Sequence, residues 1–99
     1  MVYVINATGN YPKDCPPQYD SWIDYWIKKR GLIPEWCRHC KTNTKELDGG
    51  HVRIVEQGPD GKWYYKGETL YIVPICRGCN NPNNQEIFSV SETDLVPVP

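Results

Sequence analysis

The chain is short of the residues that ordinarily fill a core. It has one Phe and one Met in 99 residues, and Leu, Ile and Val are sparse for its length. No apolar run approaches the roughly 20 residues that span a bilayer. The N-terminus also lacks the basic-then-apolar order of a secretory leader. These absences predict a soluble, cytoplasmic protein without a membrane partner. Neither charge dominates: 11 Lys and Arg stand against 12 Asp and Glu, a formal charge of −1. Strong non-specific nucleic-acid binders carry a basic excess, so the total argues against that role. No internal repeat is visible beyond two matched cysteine pairs.

What is present is aromatic and turn-rich. Four Trp and seven Tyr supply much of the apolar area, and buried Trp and Tyr need partners for their polar atoms. Nine Pro and eight Gly predict many turns. A chain of this size forms one domain with a modest core, to which a metal staple is useful.

The staple is legible in the cysteines. Cys37-Arg38-His39-Cys40 and Cys76-Arg77-Gly78-Cys79 are separated by 35 residues. A two-residue gap lets one tight turn aim two sulfurs at one ion, and two such turns complete the tetrahedron of a structural Zn²⁺ site. Disulfides or plain buried thiols are the alternatives, and disulfides would need an oxidising compartment. Four thiolates on one Zn²⁺ bring the net charge to roughly −3. Cys15, beside Pro16-Pro17, is expected to be a free thiol. His39 is expected to be exposed, and Arg38 and Arg77 to point outward from their turns, facing an anionic partner or offsetting the thiolates.

Along the chain, Val2–Ile5 reads as an edge strand. Residues 9–19 read as an irregular connection. One helix is predicted over Ser21–Arg30, capped by Asp20 or Ser21 and stopped by Gly31, with Trp22, Ile23, Trp26 and Ile27 on its apolar face. Ten residues are too few for an independent helix, so it must dock, and it is expected beside the metal. Residues 41–50 read as polar and turn-like. His51–Gln57, Trp63–Lys66 and Leu70–Ile75 read as strands of a hairpin or three-stranded meander around the turn Gly58-Pro59-Asp60-Gly61. Ile87–Val90 and Leu95–Val98 read as short extended segments. Six of the eleven basic residues, Lys28, Lys29, Arg30, Arg38, Lys41 and Lys45, lie within residues 28–45 beside one acid, Glu35. They are the candidate partner-binding face, to which Arg53 and Arg77 could add. Residues 80–99 carry Glu86, Glu92 and Asp94 and no Lys or Arg.

A cysteine turn, a hairpin and a second cysteine turn fit a zinc ribbon or a treble clef, which differ in the structure after the last cysteine. The run Gly49-Gly50-His51-Val52, followed by Tyr71-Ile72-Val73-Pro74-Ile75-Cys76-Arg77-Gly78-Cys79-Asn80, resembles the HNH superfamily of treble-clef domains. It also resembles a degenerate branch of that superfamily, made up of small bacterial and phage proteins. The resemblance covers about Cys37–Asn84. It implies His51 at the position of a general base and Asn80 or Asn81 at the middle Asn of the motif. Gly50 stands where an acidic metal ligand belongs, and Asn83 and Asn84 near where the last His belongs. Asp48 is the only nearby carboxylate, and neutral amides are weak ligands for a catalytic divalent ion.

His51 therefore has three readings: a structural His, part of a ligand-binding surface, or a catalytic base. The expected architecture is a single α+β domain: a strand and amphipathic helix over residues 1–36, a Cys₄ zinc-binding HNH-like core over 37–84, and an extended segment over 85–99. The expected function is a non-catalytic zinc module that binds a protein or a nucleic acid. The alternatives are an HNH-type DNA endonuclease using His51 and a second divalent ion, and a phage or bacterial accessory interaction protein.

Overall fold

The computed structural model describes residues 1–9, 11 and 13–99. The strands are β1 (Val2–Asn6), β2 (Leu47–Gln57), β3 (Trp63–Tyr65), β4 (Tyr71–Cys76), β5 (Phe88–Val90) and β6 (Val96–Pro97). One helix, α1 (Trp22–Arg30), precedes β2, and a 3₁₀ turn, Glu92–Asp94, precedes β6. Among the described residues no helix is long and apolar enough to cross a membrane.

The helix forms where its end signals place it. Ser21 Oγ accepts the Asp24 N–H at 3.1 Å, Lys28 pairs with Asp24 one turn on at 3.1 Å, and Gly31 closes the helix at φ 72° with its N–H on the Ile27 carbonyl. A left-handed cap of this kind suits glycine, which has no Cβ to clash. The buried side chains are Tyr25 and Trp26, while Trp22, Ile23 and Ile27 are half-buried. The expected stripe is thus rotated toward Tyr25.

All strands join one antiparallel sheet, ordered β5-β1-β2-β4-β6, with β3 also paired to β2. Val55 of β2 is opposite both Tyr3 of β1 and Tyr65 of β3, and Val52 is opposite both Asn6 of β1 and Tyr71 of β4. A residue has only two lateral neighbours, so β3 and β4 lie end to end along the same side of β2, and β1 along the other. The segment 51–75 is therefore not a meander with β3 in the middle. The first strand is a correction too: it lies between β5 and β2, not at an edge.

Side chains alternate between faces along a strand, and this splits the core in two. Val4, Val52, Val73, Ile75, Phe88 and Val90 pack on one face with Cys37 and Cys79, and Leu47 at the start of β2 joins this cluster. Tyr25, Trp26, Ile72 and Val96 form the second cluster, under α1. Residues 47–50, expected to be turn, are the start of β2, and Gly49 makes that possible: a Cβ there would lie 2.5 Å from the Trp22 carbonyl carbon and 2.6 Å from the Ile23 nitrogen. The glycine is a packing device that lets the first turn of α1 rest on the strand.

Candidate metal centre

Each cysteine turn is built the same way. The Lys41 N–H bonds the Cys37 carbonyl at 2.9 Å, and the Asn80 N–H bonds the Cys76 carbonyl at 2.9 Å. The first turn closes a small loop in which Trp36 faces Asn43 and the Cys37 N–H bonds the Thr42 carbonyl. The second turn continues from the end of β4, where Cys76 is paired with Leu47. The two are stitched together because the Arg38 N–H reaches the Pro74 carbonyl at 2.9 Å.

This brings Cys37, Cys40, Cys76 and Cys79 together, with their Sγ atoms all within 4.8 Å of one another. Tetrahedral Zn–S bonds of about 2.3 Å imply S···S edges of about 3.8 Å, and Cys40 and Cys76 Sγ lie 3.8 Å apart. Cys37 is buried, and its sulfur accepts the N–H groups of Cys40 at 3.4 Å and Cys76 at 3.3 Å. The side-chain and backbone contacts of Thr42 pull the Cys40 thiol down to about 6. Burial and contact with the other three sulfurs push the Cys79 thiol up. The donor set fits one thiophilic ion. Cys15 stands apart, half-buried, with its sulfur 3.4 Å from the Tyr19 carbonyl.

The side chains between the cysteines do not all behave as expected. Arg77 is exposed, but Arg38 is buried. The Arg38 guanidinium lies 3.8 Å from the Trp36 ring and 5.6 Å from the Trp26 ring. Its Nε is 3.2 Å from Asp94 Oδ1, an ion pair by proximity, since the N–H is not aligned on the carboxylate. Trp26 completes the arrangement by donating its indole N–H to the Asp94 carbonyl at 2.8 Å. Arg38 is thus a core cation joining the first cysteine turn, α1 and the 3₁₀ turn. His39 is half-buried with its ring 4.3 Å from that of Phe88, not exposed.

His51 is also buried. Its ring lies 4.6 Å from Tyr11 and meets the edge of Trp22 at 4.9 Å. Burial holds its pKa down at about 4, so the ring is neutral near pH 7. A cavity of about 320 Å³ opens beside it, lined also by Asn6, Lys13 and Asn80, and among the described residues no carboxylate contributes to its wall. Asp48 is half-buried in β2 opposite Ile75. Among the described residues the cysteine quartet is the only convergence of three or more metal-ligating side chains, so a second divalent ion has no such set of ligands.

The basic run is partly paired and partly turned inward. Lys28 pairs with Asp24, and Lys45 lies 3.8 Å from Glu35. Lys41 Nζ donates to the Arg38 and Ser89 carbonyls. Lys29 sits over the Tyr25 ring, and Arg30 is half-buried. With Arg38 turned inward, five of the six, all but Arg30, spend donors or charge on the chain itself. Sequence reasoning missed Asn6. Its Nδ2 donates to the Cys79 carbonyl at 2.8 Å and the Asn84 carbonyl at 3.0 Å, tying β1 to the second cysteine turn. Downstream of that turn the chain forms turns up to β5, with no helix on Cys79. Comparison with known protein families, with curated proteins and with solved structures finds no match to this chain.

Proposed function

We propose that this chain is a non-catalytic zinc module whose folded surface docks a protein or nucleic-acid partner. The carrying observation is the convergence of four sulfurs within 4.8 Å, on two turns that lie far apart in the sequence. Bound Zn²⁺ supplies a cross-link and charge neutralisation for the thiolates. The chain itself supplies the rest: backbone N–H donors on Cys37, the Arg38 N–H and stacked guanidinium on the first turn, and Asn6 on the second. The kinship with HNH-type domains rests on the two cysteine turns and the strand carrying His51. The absence of a helix on Cys79 weighs against its treble-clef form.

The same surroundings speak against catalysis. A buried, neutral His51 can in principle accept a proton, but no carboxylate stands beside it to hold a divalent ion near a phosphate. Zinc stoichiometry by mass spectrometry, read with nicking of supercoiled plasmid in Mg²⁺ or Mn²⁺, tests the proposal. One zinc per chain without nicking is expected. Nicking that vanishes in His51→Ala would overturn the non-catalytic reading. A folded chain without bound metal would overturn the zinc module.

A further inference from the structure

The β2–β3 arm carries a feature that the metal centre does not use. Trp63, Tyr64 and Tyr65 form a strand whose side chains are all exposed, at 39%, 52% and 53%. In an antiparallel ladder, residues that exchange bonds with a neighbour alternate with residues whose N–H and C=O point the other way. The Lys66 N–H bonds the Ile54 carbonyl, and the Gly58 N–H bonds the Lys62 carbonyl. Between these pairs Tyr64 is opposite Glu56. Lys62, Tyr64 and Lys66 therefore face β2, and Trp63 and Tyr65 turn their N–H and C=O groups outward. Among the described residues no strand pairs with that outer side.

We infer that the outer edge of β3 is a docking edge for an extended segment of a protein partner that carries two acidic residues four positions apart. Unpaired edge groups give such a segment its main-chain bonds. The charges choose its chemistry. Lys62 and Lys66 flank the strand and, at a spacing of four, point to the same face as Tyr64. Lys62 has no ion-pair partner among the described residues. Lys66 pairs only with exposed Glu56, at 2.8 Å, a contact that water and a competing carboxylate can exchange. Carboxylates placed opposite both lysines, with an apolar residue between them opposite Tyr64, match this face.

Two other occupants fit less well. A second copy can satisfy the outward groups of both Trp63 and Tyr65 in one register only, Trp63 against Tyr65. That register sets Lys62 of one copy opposite Lys66 of the other, twice, and like charges directly opposite are destabilising. A nucleic acid would stack on the aromatics, but it needs a run of phosphates neutralised, and the docking face offers only Lys62 and Lys66, enough for two carboxylates and too few for a run of phosphates. The inference concerns a surface distant in sequence from the basic run, and it stands or falls apart from partner binding there.

The test uses the zinc-loaded full chain and a capped seven-residue peptide with Glu at its second and sixth positions, Val at the fourth and Thr elsewhere. Amide spectra should shift at Trp63 and Tyr65, and exchange of those two N–H groups should slow. A Lys-for-Glu peptide should bind roughly tenfold more weakly at low salt, and the double variant Lys62→Glu/Lys66→Glu should reverse that order. Tyr65→Pro removes an outward N–H, which an edge strand tolerates, and should abolish the response. Zinc content read on each variant separates a lost fold from lost docking. The inference is overturned by equal binding of both peptides or by no shift at millimolar peptide. It is also overturned by the same amides moving on dilution of the free protein, which would assign the edge to a second copy, or on addition of oligothymidylate, which would assign it to nucleic acid.

Discussion

One strand, β2, lives in two environments. Its first half, Leu47–Val52, pairs with β4 and lies under the first turn of α1, and its first residue is opposite Cys76 of the cysteine quartet. Its last residues, Val55–Gln57, carry β3 and run into the exposed turn at Pro59–Asp60. The neighbours of the first half come from far along the chain: α1 precedes it, and β4 and the second cysteine turn follow some 25 residues later. The neighbours of the other end come mainly from its own hairpin. Long-range neighbours supply burial, and burial supplies stability. The anchored half is where substitutions should cost free energy, and the arm is where they should cost contacts with other molecules.

The largest effect expected is at the anchor. Cys37→Ser removes the buried ligand that accepts two backbone N–H groups, and structural zinc is itself a large share of folding free energy in small domains. Loss of stoichiometric zinc together with cooperative unfolding, followed by circular dichroism and metal analysis, is the expected outcome. Retention of both would break the comparison outright, because the anchored half would then be stable without its anchor. Next is Gly49→Ala. A Cβ within 2.6 Å of α1 backbone forces the helix off the strand, at a cost of about 3 kcal/mol in denaturant unfolding. Gln57→Ala, on the same strand but in the arm, should stay within about 0.5 kcal/mol.

The two cysteine turns sharpen the comparison further, since their sequences differ little. Arg38→Ala leaves the Asp94 carboxylate without its cation and uncovers Trp26 and Trp36, which should cost about 2 kcal/mol. Arg77→Ala, on an exposed side chain, should cost under about 0.5 kcal/mol. Equal costs would mean that the inward turn of Arg38 contributes nothing.

This pair also shows where sequence reading runs out. The cysteine quartet, the helix and its caps, and most of the strands were legible, because each depends on local spacing: two residues between ligands, a Ser and a Gly at helix ends, β-rich runs between turn residues. What was not legible depends on which distant segment lands beside which. Arg38 and Arg77 occupy the same place in the same motif, and only the arrival of α1 and the 3₁₀ turn at the first makes it a core residue. Gly49-Gly50 reads as a turn until a helix needs the space above it. Val2–Ile5 reads as an edge until β5, from the other end of the chain, pairs with its free side. Nothing local to Asn6 signals a clamp on the second cysteine turn, which lies 73 residues further along the chain.

His51 gives a smaller, pH-dependent effect on the anchored half. Its pKa of about 4 in the folded chain lies below the ordinary value near 6.5. The unfolded chain therefore takes up the proton first, and stability must fall as pH drops from about 6.5 toward 4, with no contribution from this group above that window. After allowance for solvent screening, the loss should be about 1–2 kcal/mol. Loss of a bound metal in acid would add a slope of its own, so the check is differential. His51→Phe should flatten the slope between pH 6.5 and 4.5, and the His51 ring protons in the parent chain should titrate well below those of a free histidine. An ordinary titration near 6.5 would mean that the ring is not enclosed by Tyr11 and Trp22.

The smallest effects belong to the arm. Tyr64→Ala removes a half-exposed ring whose hydroxyl reaches only Asp60 in the adjoining turn, and the melting temperature should hardly move, in line with a cost under about 0.5 kcal/mol. Trp63→Ala should cost a little more, up to about 1 kcal/mol, because its ring meets the edge of Tyr3 at 5.3 Å and so links β3 to β1 across β2. A cost of about 3 kcal/mol at Trp63 would put it in the range of buried aromatics. The arm would then be a second core, its exposed strand a structural necessity, and three aromatic residues in water would need no partner to explain them. Near-neutral stability would leave their exposure without a folding reason, which is the condition under which a recognition role for β3 is worth pursuing.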